Sequence, residues 1–479
     1  MIKHGVYVNE QATSVSTPVV ADMGIPFVIG ASCISRASNP AETGIPAICT
    51  SWEEFCQKFG YSEDWASYNL CEFAYSHFKL FGCQPVLFCN LVSTATANLV
   101  NVAAEDITLT THKATLPAEA VASTIVVKKS GGSGNAYVEG TDYTVTYTDE
   151  ACLVSMIATS THYSDTALNI AFKKTNPALV TAQAVAIGME AIELCMQTGI
   201  IPDLIASPGY SSDAAVAAVM AAKAAGINGL FRAKAVVDLA TGTGGAHTYD
   251  AANTIKTQGN FVDENMIVCW GSLGLGDHVF HQSTQLCGLM ARIDAANGAP
   301  YESPSNKNYR MDRLLVEDTS TPGSYNTVNL TKAQADVLNN AGIVTALNFL
   351  GAGWVCWGNY TACYPANADV KDYFICISRV FDWVSNTCIR TFWGKIDLPM
   401  NRRLIDNIID TCNIWLDGLS ASGKIIGGRC EMIEAENPLT DLMAGIMRVH
   451  IYITPPSPAQ EIDFTLEYDV SYVEALFAG

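Results

Sequence analysis

What most constrains this chain is an interruption. Residues 23–97 alternate strand and helix signals, the stretch 98–180 loses the helices, and the alternation resumes at 181. "MGIPFVIGAS" reads as a buried strand. "TSWEEFCQKFG" reads as a helix: Thr50 or Ser51 can cap it, and Glu53 and Glu54 occupy the first turn, where the helix dipole favours acids. Trp52, Phe55, Cys56 and Phe59 share a face, and Gly60 ends it. "WASYNLCEFAYSHFKLFG" is a second amphipathic helix closed by Gly82, and "CQPVLFCNLV" is another buried strand. This β-α-α-β order is that of an α/β layer domain. The stretch 98–180, with "STIVVKKSGGSGNAYVEGTDYTVTYTDEACLVSMIA", offers short strands between Gly-rich and Asp-rich turns, the pattern of a small β-sandwich. Because the α/β pattern continues beyond it, the sandwich reads as an insertion.

Past residue 180 the strands "PDLIASPG", "LFRAKAVVDL" and "ENMIVCWG" alternate with helices, one of them starting at Asp213. "APYESPSNKNYRMDRLL" is loop-rich. The last third carries two long helical patterns, "VKDYFICISRVFDWVSNTCIRTFWG" and "NRRLIDNIIDTCNIWLDGLSASG", then the strands "GGRCEMI" and "RVHIYIT". A length of 479 residues exceeds one core and suggests about three domains. The expected fold is α/β multidomain. An α/β layer domain (23–97 and 181–345) carries the inserted β-sandwich (98–180), and an α+β C-terminal domain (346–460) follows. Extended arms lie at 1–22 and 461–479.

Both arms are strand-like without an obvious local partner. Val6, Tyr7 and Val8 form a short strand signal, and Pro18 opposes a helix. In "EIDFTLEYDV", Ile462, Phe464, Leu466, Tyr468 and Val470 alternate with polar residues, the period of a strand with one buried face. Pro455, Pro456 and Pro458 separate it from "RVHIYIT". The two segments can pair as a hairpin in one subunit, leaving "SYVEALFAG" as the free arm, or the whole segment can pair elsewhere.

Twenty-seven basic against 47 acidic residues give a net charge of −20, without the basic footprint a nucleic-acid partner needs. Only 15% of residues are charged and 49% are hydrophobic, which suits a chain that buries surface against other subunits. Apolar runs such as "AAVAAVMAAKAAGI" fall short of a membrane span, so no direct membrane insertion is expected. "MIKHGVYVNEQATS" has no signal-peptide stretch, so the expected setting is a reducing cytoplasm. The sixteen cysteines lack C-x-x-C spacing and read as buried small hydrophobes.

Candidate chemistry is sparse. Gly271, Gly274 and Gly276 in "GSLGLGDHVFH" do not make a phosphate loop and read as a turn. His278 and His281, with Asp277, give an incomplete metal set on a segment whose i and i+3 positions face opposite sides. Ser207, Ser211 and Ser212 lie at a strand end without a G-x-S-x-G elbow. Glu190 and Glu193 read as a solvated helix face. Arg402 and Arg403, near Lys395, are unusual at a helix start, where the dipole disfavours cations. A docking contact to an acidic partner is one reading of them and plain helix solvation the other. No cofactor, metal or catalytic residue is expected.

The ordered segments "HGVYVNEQ", "ADMGIPFVIG", "TSWEEFCQKFG", "CEFAYSHFKLFGCQPVLF", "SPGYSS" and "RVHIYITPPSPAQEIDFTLEYD" resemble the tail sheath proteins of contractile phage tails and phage-tail-like particles. The resemblance spans almost the whole chain. It implies a non-enzymatic subunit that polymerises as stacked hexameric rings around an inner tail tube protein and contracts to drive the tube through an envelope. Genome ejection follows in a phage. It implies arms that complete a sheet in neighbouring subunits by strand exchange, a baseplate and a tail terminator as further partners, and assembly in the host bacterial cytoplasm before residence in the virion tail. It also places the C-terminal domain against the tube, with Lys395, Arg402 and Arg403 as possible tube contacts. The alternatives are a cytoplasmic α/β enzyme and a static, non-contractile shell or tube protein.

Overall fold

The computed structural model describes residues 18–148, 151–351, 353–470 and 472. Val6, Tyr7 and Val8 lie outside the described residues, as does 473–479.

A central eight-stranded sheet is built from continuous apolar runs. Its order is Val355–Trp357, Ile343–Leu347, Met266–Trp270, Lys234–Leu239, Leu204–Ala206, Pro26–Gly30, Val86–Asn90, Ala47–Cys49. The six inner strands are parallel, and an antiparallel strand closes each edge. "PFVIG", "VLFCN" and "MIVCW" are buried throughout, as expected of parallel strands covered on both faces. The sheet runs past the boundary expected at residue 345: Ile343–Leu347 is fully buried and belongs to it, and Val355–Trp357 extends it.

Local signals explain the helices. Ser51 caps Trp52–Phe59, its hydroxyl accepting from the Glu54 N–H at 3.2 Å. Asp213 caps Ala214–Ala225, and Thr331 with Gln334 forms a capping box on Lys332–Asn340. The second helix starts later than its amphipathic pattern, because residues 65–67 form a turn. It runs from Asn69 to Ala74 as an α-helix and from Tyr75 to Phe81 as a π-helix, and ends at left-handed Gly82. "GSLGLGDHVFH" is a hairpin, Ser272–Leu275 with His278–His281, turning at Gly276. It joins a four-stranded sheet with Arg313–Glu317 and Tyr325–Val328, so the piece expected to be loop ends in a strand.

Six strands between Val100 and Lys174 form two three-stranded sheets around a separate hydrophobic cluster that includes Leu116, Val127, Val154, Ile170 and Phe172. The C-terminal region packs the helices Ile375–Phe392 and Arg402–Ala421 with a two-stranded hairpin, Gly427–Glu431 against His450–Thr454. Trp383, Val384, Cys412, Leu416 and Leu419 centre its core.

Polar contacts lock this region to the central sheet. Arg379, 4% exposed, bonds Asp203 at 2.8 Å and also pairs with the buried Asp294. Lys234 bonds Asp382 at 3.0 Å. The Asn386 amide bonds both backbone groups of Arg232. Asp203 and Lys234 bracket neighbouring parallel strands, so the helix Ile375–Phe392 is held against the ends of that sheet.

Candidate subunit-linking surface

Residues 19–22 and 455–460 both contact the C-terminal part of the chain. Before entering the central sheet, residues 19–22 run along the helix Ile375–Phe392. The Val19 and Ala21 N–H groups donate to the hydroxyls of Thr391 and Thr387, each at 3.0 Å. Trp383 Nε1 donates to the Ala21 carbonyl at 3.1 Å, and Arg390 pairs with Asp22 at 2.6 Å. Thr387 and Thr391 are four apart and share a helix face. That spacing was the available signal for this contact, which sequence reasoning missed.

The hairpin is the second component. Ile451 and Ile453 pack on the helical core, while Arg429 lies over the Tyr452 ring at 3.9 Å on the other face. Among the described residues its two strands pair only with each other, so neither outer edge has a strand partner, although the Asn413 side chain bonds the Cys430 backbone on one of them. A two-stranded sheet is marginal by itself and leans here on the helices.

The chain's last segment leaves from this hairpin. Pro455 is buried, and the Tyr360 hydroxyl donates to Gln460 Oε1 at 2.7 Å. From residue 461 to 470 every residue is exposed and none lies in a strand. The apolar positions stand open: Ile462 69%, Phe464 86%, Leu466 96%, Tyr468 77% and Val470 61% exposed. The intramolecular hairpin between "RVHIYIT" and this segment is not formed, since His450–Thr454 pairs with Gly427–Glu431.

The basic residues lie on consecutive elements. Lys395 ends the turn Trp393–Lys395, and Arg402 and Arg403 open the next helix. Arg402 pairs with Asp406 of its own helix at 2.9 Å, which offsets the unfavourable dipole. Trp393, Ile396 and Leu398 are exposed beside them.

Readings that pointed to chemistry resolve into structure. The parallel strand order reverses between Pro26–Gly30 and Leu204–Ala206, where α/β proteins open a ligand crevice. Here Asn69 fills it, accepting from the Ala31 N–H at 2.8 Å and donating to the Pro208 carbonyl at 2.7 Å. Its amide lies against Gly30, where a Cβ would collide. Ser207 donates to the Ile29 carbonyl, and Ser211 bonds the Asp238 backbone. His278 stacks on Trp65, whereas His281 bonds Glu72 at 2.7 Å, so the two do not converge on a metal. Burial opposes charge on His281, but Glu72, with Asp238 and Glu317, outweighs it and raises its pKa to about 9. Glu190 and Glu193 are not a plain solvated face: both bond Lys223, at 2.5 and 2.6 Å. Among the described residues no helix is long and apolar enough to cross a membrane.

No family model matches the chain. The tail sheath protein of Burkholderia phage BcepMu is 26% identical over 424 residues, covering 83% of this chain and 84% of that protein. The major tail sheath protein of Serratia phage KSP20 is 23% identical over 49% of this chain and 58% of its own length. Among solved structures, the helical sheath of the anti-feeding prophage in its contracted state superposes with a TM-score of 0.59, covering 97% of this chain and 99% of that one at 15% identity. The contracted sheath complex of an extracellular contractile injection system, PVC, gives 0.58 over 98% of this chain and 99% of that one at 14% identity. A sheath tail protein from Listeria innocua gives 0.52 over 87% and 90%, also at 14% identity. By sequence and by fold together, the chain is similar to the contractile tail sheath proteins.

Proposed function

We propose that this sheath subunit polymerises as stacked six-membered rings around an inner tail tube and that its terminal arms link neighbouring subunits. The observation that carries the reading is a complementary pair on one molecule: an exposed alternating segment at 461–470 and a hairpin whose outer edges have no strand partner. Among the described residues neither pairs with another strand. A segment from a neighbour laid along the hairpin would pair those edges and bury Phe464 and Leu466 or their counterparts, by β-augmentation. Each hydrogen bond adds about 0.5–1.5 kcal/mol net, and burial of the apolar face adds about 25 cal/mol per Å². The N-terminal arm, including Val6, Tyr7 and Val8, would serve a second edge.

On this reading 23–97 and 181–345 form the α/β sheath domain, 98–180 an inserted β-sandwich and 346–460 the polymerisation domain, with the sheet edge shared across residue 345. Baseplate and terminator cap the stack, and particles assemble in the host cytoplasm. Contraction is a bistable change of packing, driven by new contacts between subunits. The arms act as tethers during it. Negative-stain microscopy of the purified chain tests the proposal. Long hollow striated tubes are expected; monodisperse small particles at high concentration would overturn it.

A further inference from the structure

The two segments that the proposed function brings together differ in length. The alternation in the arm runs from Ile462 to Val470, nine residues, or about 30 Å as a strand. Each strand of the hairpin, Gly427–Glu431 and His450–Thr454, has 5 residues and spans about 17 Å. A neighbour's arm laid along the hairpin therefore pairs over roughly half its length, and the rest overruns the end of the strand.

Beyond Thr454 lies a groove. Its volume is about 940 Å³, near the upper end of the range of about 300–1,000 Å³ for ligand sites. One wall is made by residues 456–461, which continue the strand His450–Thr454 but lie in no ladder. The facing wall is made by residues 301–307, the helix Lys332–Asn340 and residues 357–360. The Tyr360 hydroxyl, donating to Gln460 Oε1 at 2.7 Å, ties the two walls together. Tyr301, Trp357 and Tyr360 are all half-buried there and leave ring surface to be covered. Lys307 and Lys332 stand in the groove as partly exposed cations, each paired with an acid of its own wall. Asn359 also lines it and is 3% exposed. Its amide nitrogen donates to Cys376 Sγ at 3.6 Å, but among the described residues its Oδ1 accepts no hydrogen bond. A buried acceptor without a donor is costly, and a backbone N–H entering the groove would satisfy it.

We propose that this groove receives the overrunning half of a neighbour's C-terminal arm. The inference rests on the arm exchange proposed above and adds a second contact to it. The arm binds as a strand along the hairpin and as an extended peptide in the groove. Its apolar positions cover the rings of Tyr301, Trp357 and Tyr360, and one of its N–H groups donates to Asn359 Oδ1. Its acids Asp463, Glu467 and Asp469 alternate with those apolar positions and reach toward the lysines. Because the facing wall includes the helix Lys332–Asn340, one arm clamps the C-terminal hairpin and the flank of the central sheet together.

The test uses the full-length chain with the photoreactive residue p-benzoylphenylalanine in place of Asn340, exposed in the groove, or of Thr454, exposed at the end of the hairpin. Equal parts of isotope-labelled and unlabelled chain are assembled, irradiated and digested, so that mixed-isotope peptides report links between copies. Both probes should capture residues 462–470 of another copy. Capture by the Thr454 probe alone would overturn the groove and leave arm exchange standing, whereas capture by neither would overturn both. A groove probe that links to residues 1–17, or only to its own chain, would also overturn the proposal. Asn359→Leu gives a second readout. It removes the unpaired oxygen, so the thermal midpoint of the unassembled chain should hold or rise. The concentration needed for tubes should rise about two- to tenfold, the worth of one hydrogen bond. An unchanged assembly concentration, or a thermal midpoint that falls in step with assembly, would overturn the proposal.

Discussion

The stretch 98–180 and the C-terminal region are both additions to the central sheet, yet they end in opposite conditions. The first encloses a hydrophobic core of its own. Two three-stranded sheets enclose Leu116, Val154 and Phe172, and Asp106 ties a turn by accepting from Ser130, Gly131 and Asn169. The second has larger helices but only a two-stranded hairpin, with an apolar segment standing open beside it. A region with its own closed core can be varied freely. A region with an exposed alternating segment beside a two-stranded hairpin offers another chain a place to pair, as the proposed function requires.

Two deletions test that contrast most severely. Removing 461–479 should abolish tube formation while leaving the thermal midpoint of the monomer unchanged, because residues 461–470 are exposed and in no ladder. Replacing 98–180 with a short Gly/Ser linker should leave the central sheet folded and assembly intact, since its flanks belong to that sheet's own pattern. Circular dichroism and negative-stain microscopy read both. Normal tubes from the first variant, or an unfolded second one, would reverse the contrast.

The joint between the C-terminal region and the central sheet comes next. Arg379→Met leaves Asp294 and Asp203 without their cation in a buried site, a loss of about 3–5 kcal/mol. Denaturant unfolding should show the midpoint drop. An unchanged midpoint would mean that the joint is held by its apolar contacts instead.

Much of the central sheet was legible because parallel strands are written as unbroken apolar runs, as in Pro26–Gly30 and Met266–Trp270. The alternation at 462–470 was equally plain, but a strand signal carries no address for its partner. What stayed illegible were contacts between distant charges. Nothing in the sequence around Arg379 names its partners, which lie 176 and 85 residues away. The same holds for Lys223 with Glu190 and Glu193. Thr387 and Thr391 look like ordinary helix residues until the chain start is laid along them.

A smaller effect concerns pH. His281 in the native chain holds its proton up to about 9 against an ordinary value of 6.5. The folded state therefore binds more protons between those values. Stability from the His281–Glu72 pair is fully present below about pH 6.5 and is lost as pH rises through about 9. The thermal midpoint should fall across that window, and Glu72→Gln should flatten the slope. Because this pair ties the four-stranded sheet to the helix Asn69–Ala74, the change should leave the C-terminal region's assembly behaviour untouched.

The smallest expected effect sharpens what the C-terminal region presents to a tube. Arg402 and Arg403 are exposed at a helix start, a few residues after Lys395 and the open apolar side chains Trp393, Ile396 and Leu398. Arg402 already bonds Asp406, so a contact with an acidic tube would have to compete with that pair. Exposed pairs contribute only about 0–1 kcal/mol each. Repetition along stacked rings would still add them up, and weak single contacts suit a sheath that must slide off its tube. Arg402→Glu with Arg403→Glu also places acids in the first helical turn, where the dipole favours them, so the fold should not suffer. Sheath polymerising alone, which on the proposed function depends on the arms, should be unaffected. Co-assembly with tube protein should weaken at low salt, and the difference from the unmutated chain should shrink as screening rises. Equal co-assembly at low salt would remove these arginines from the tube contact. Loss of both kinds of polymer would assign them to contacts between sheath subunits.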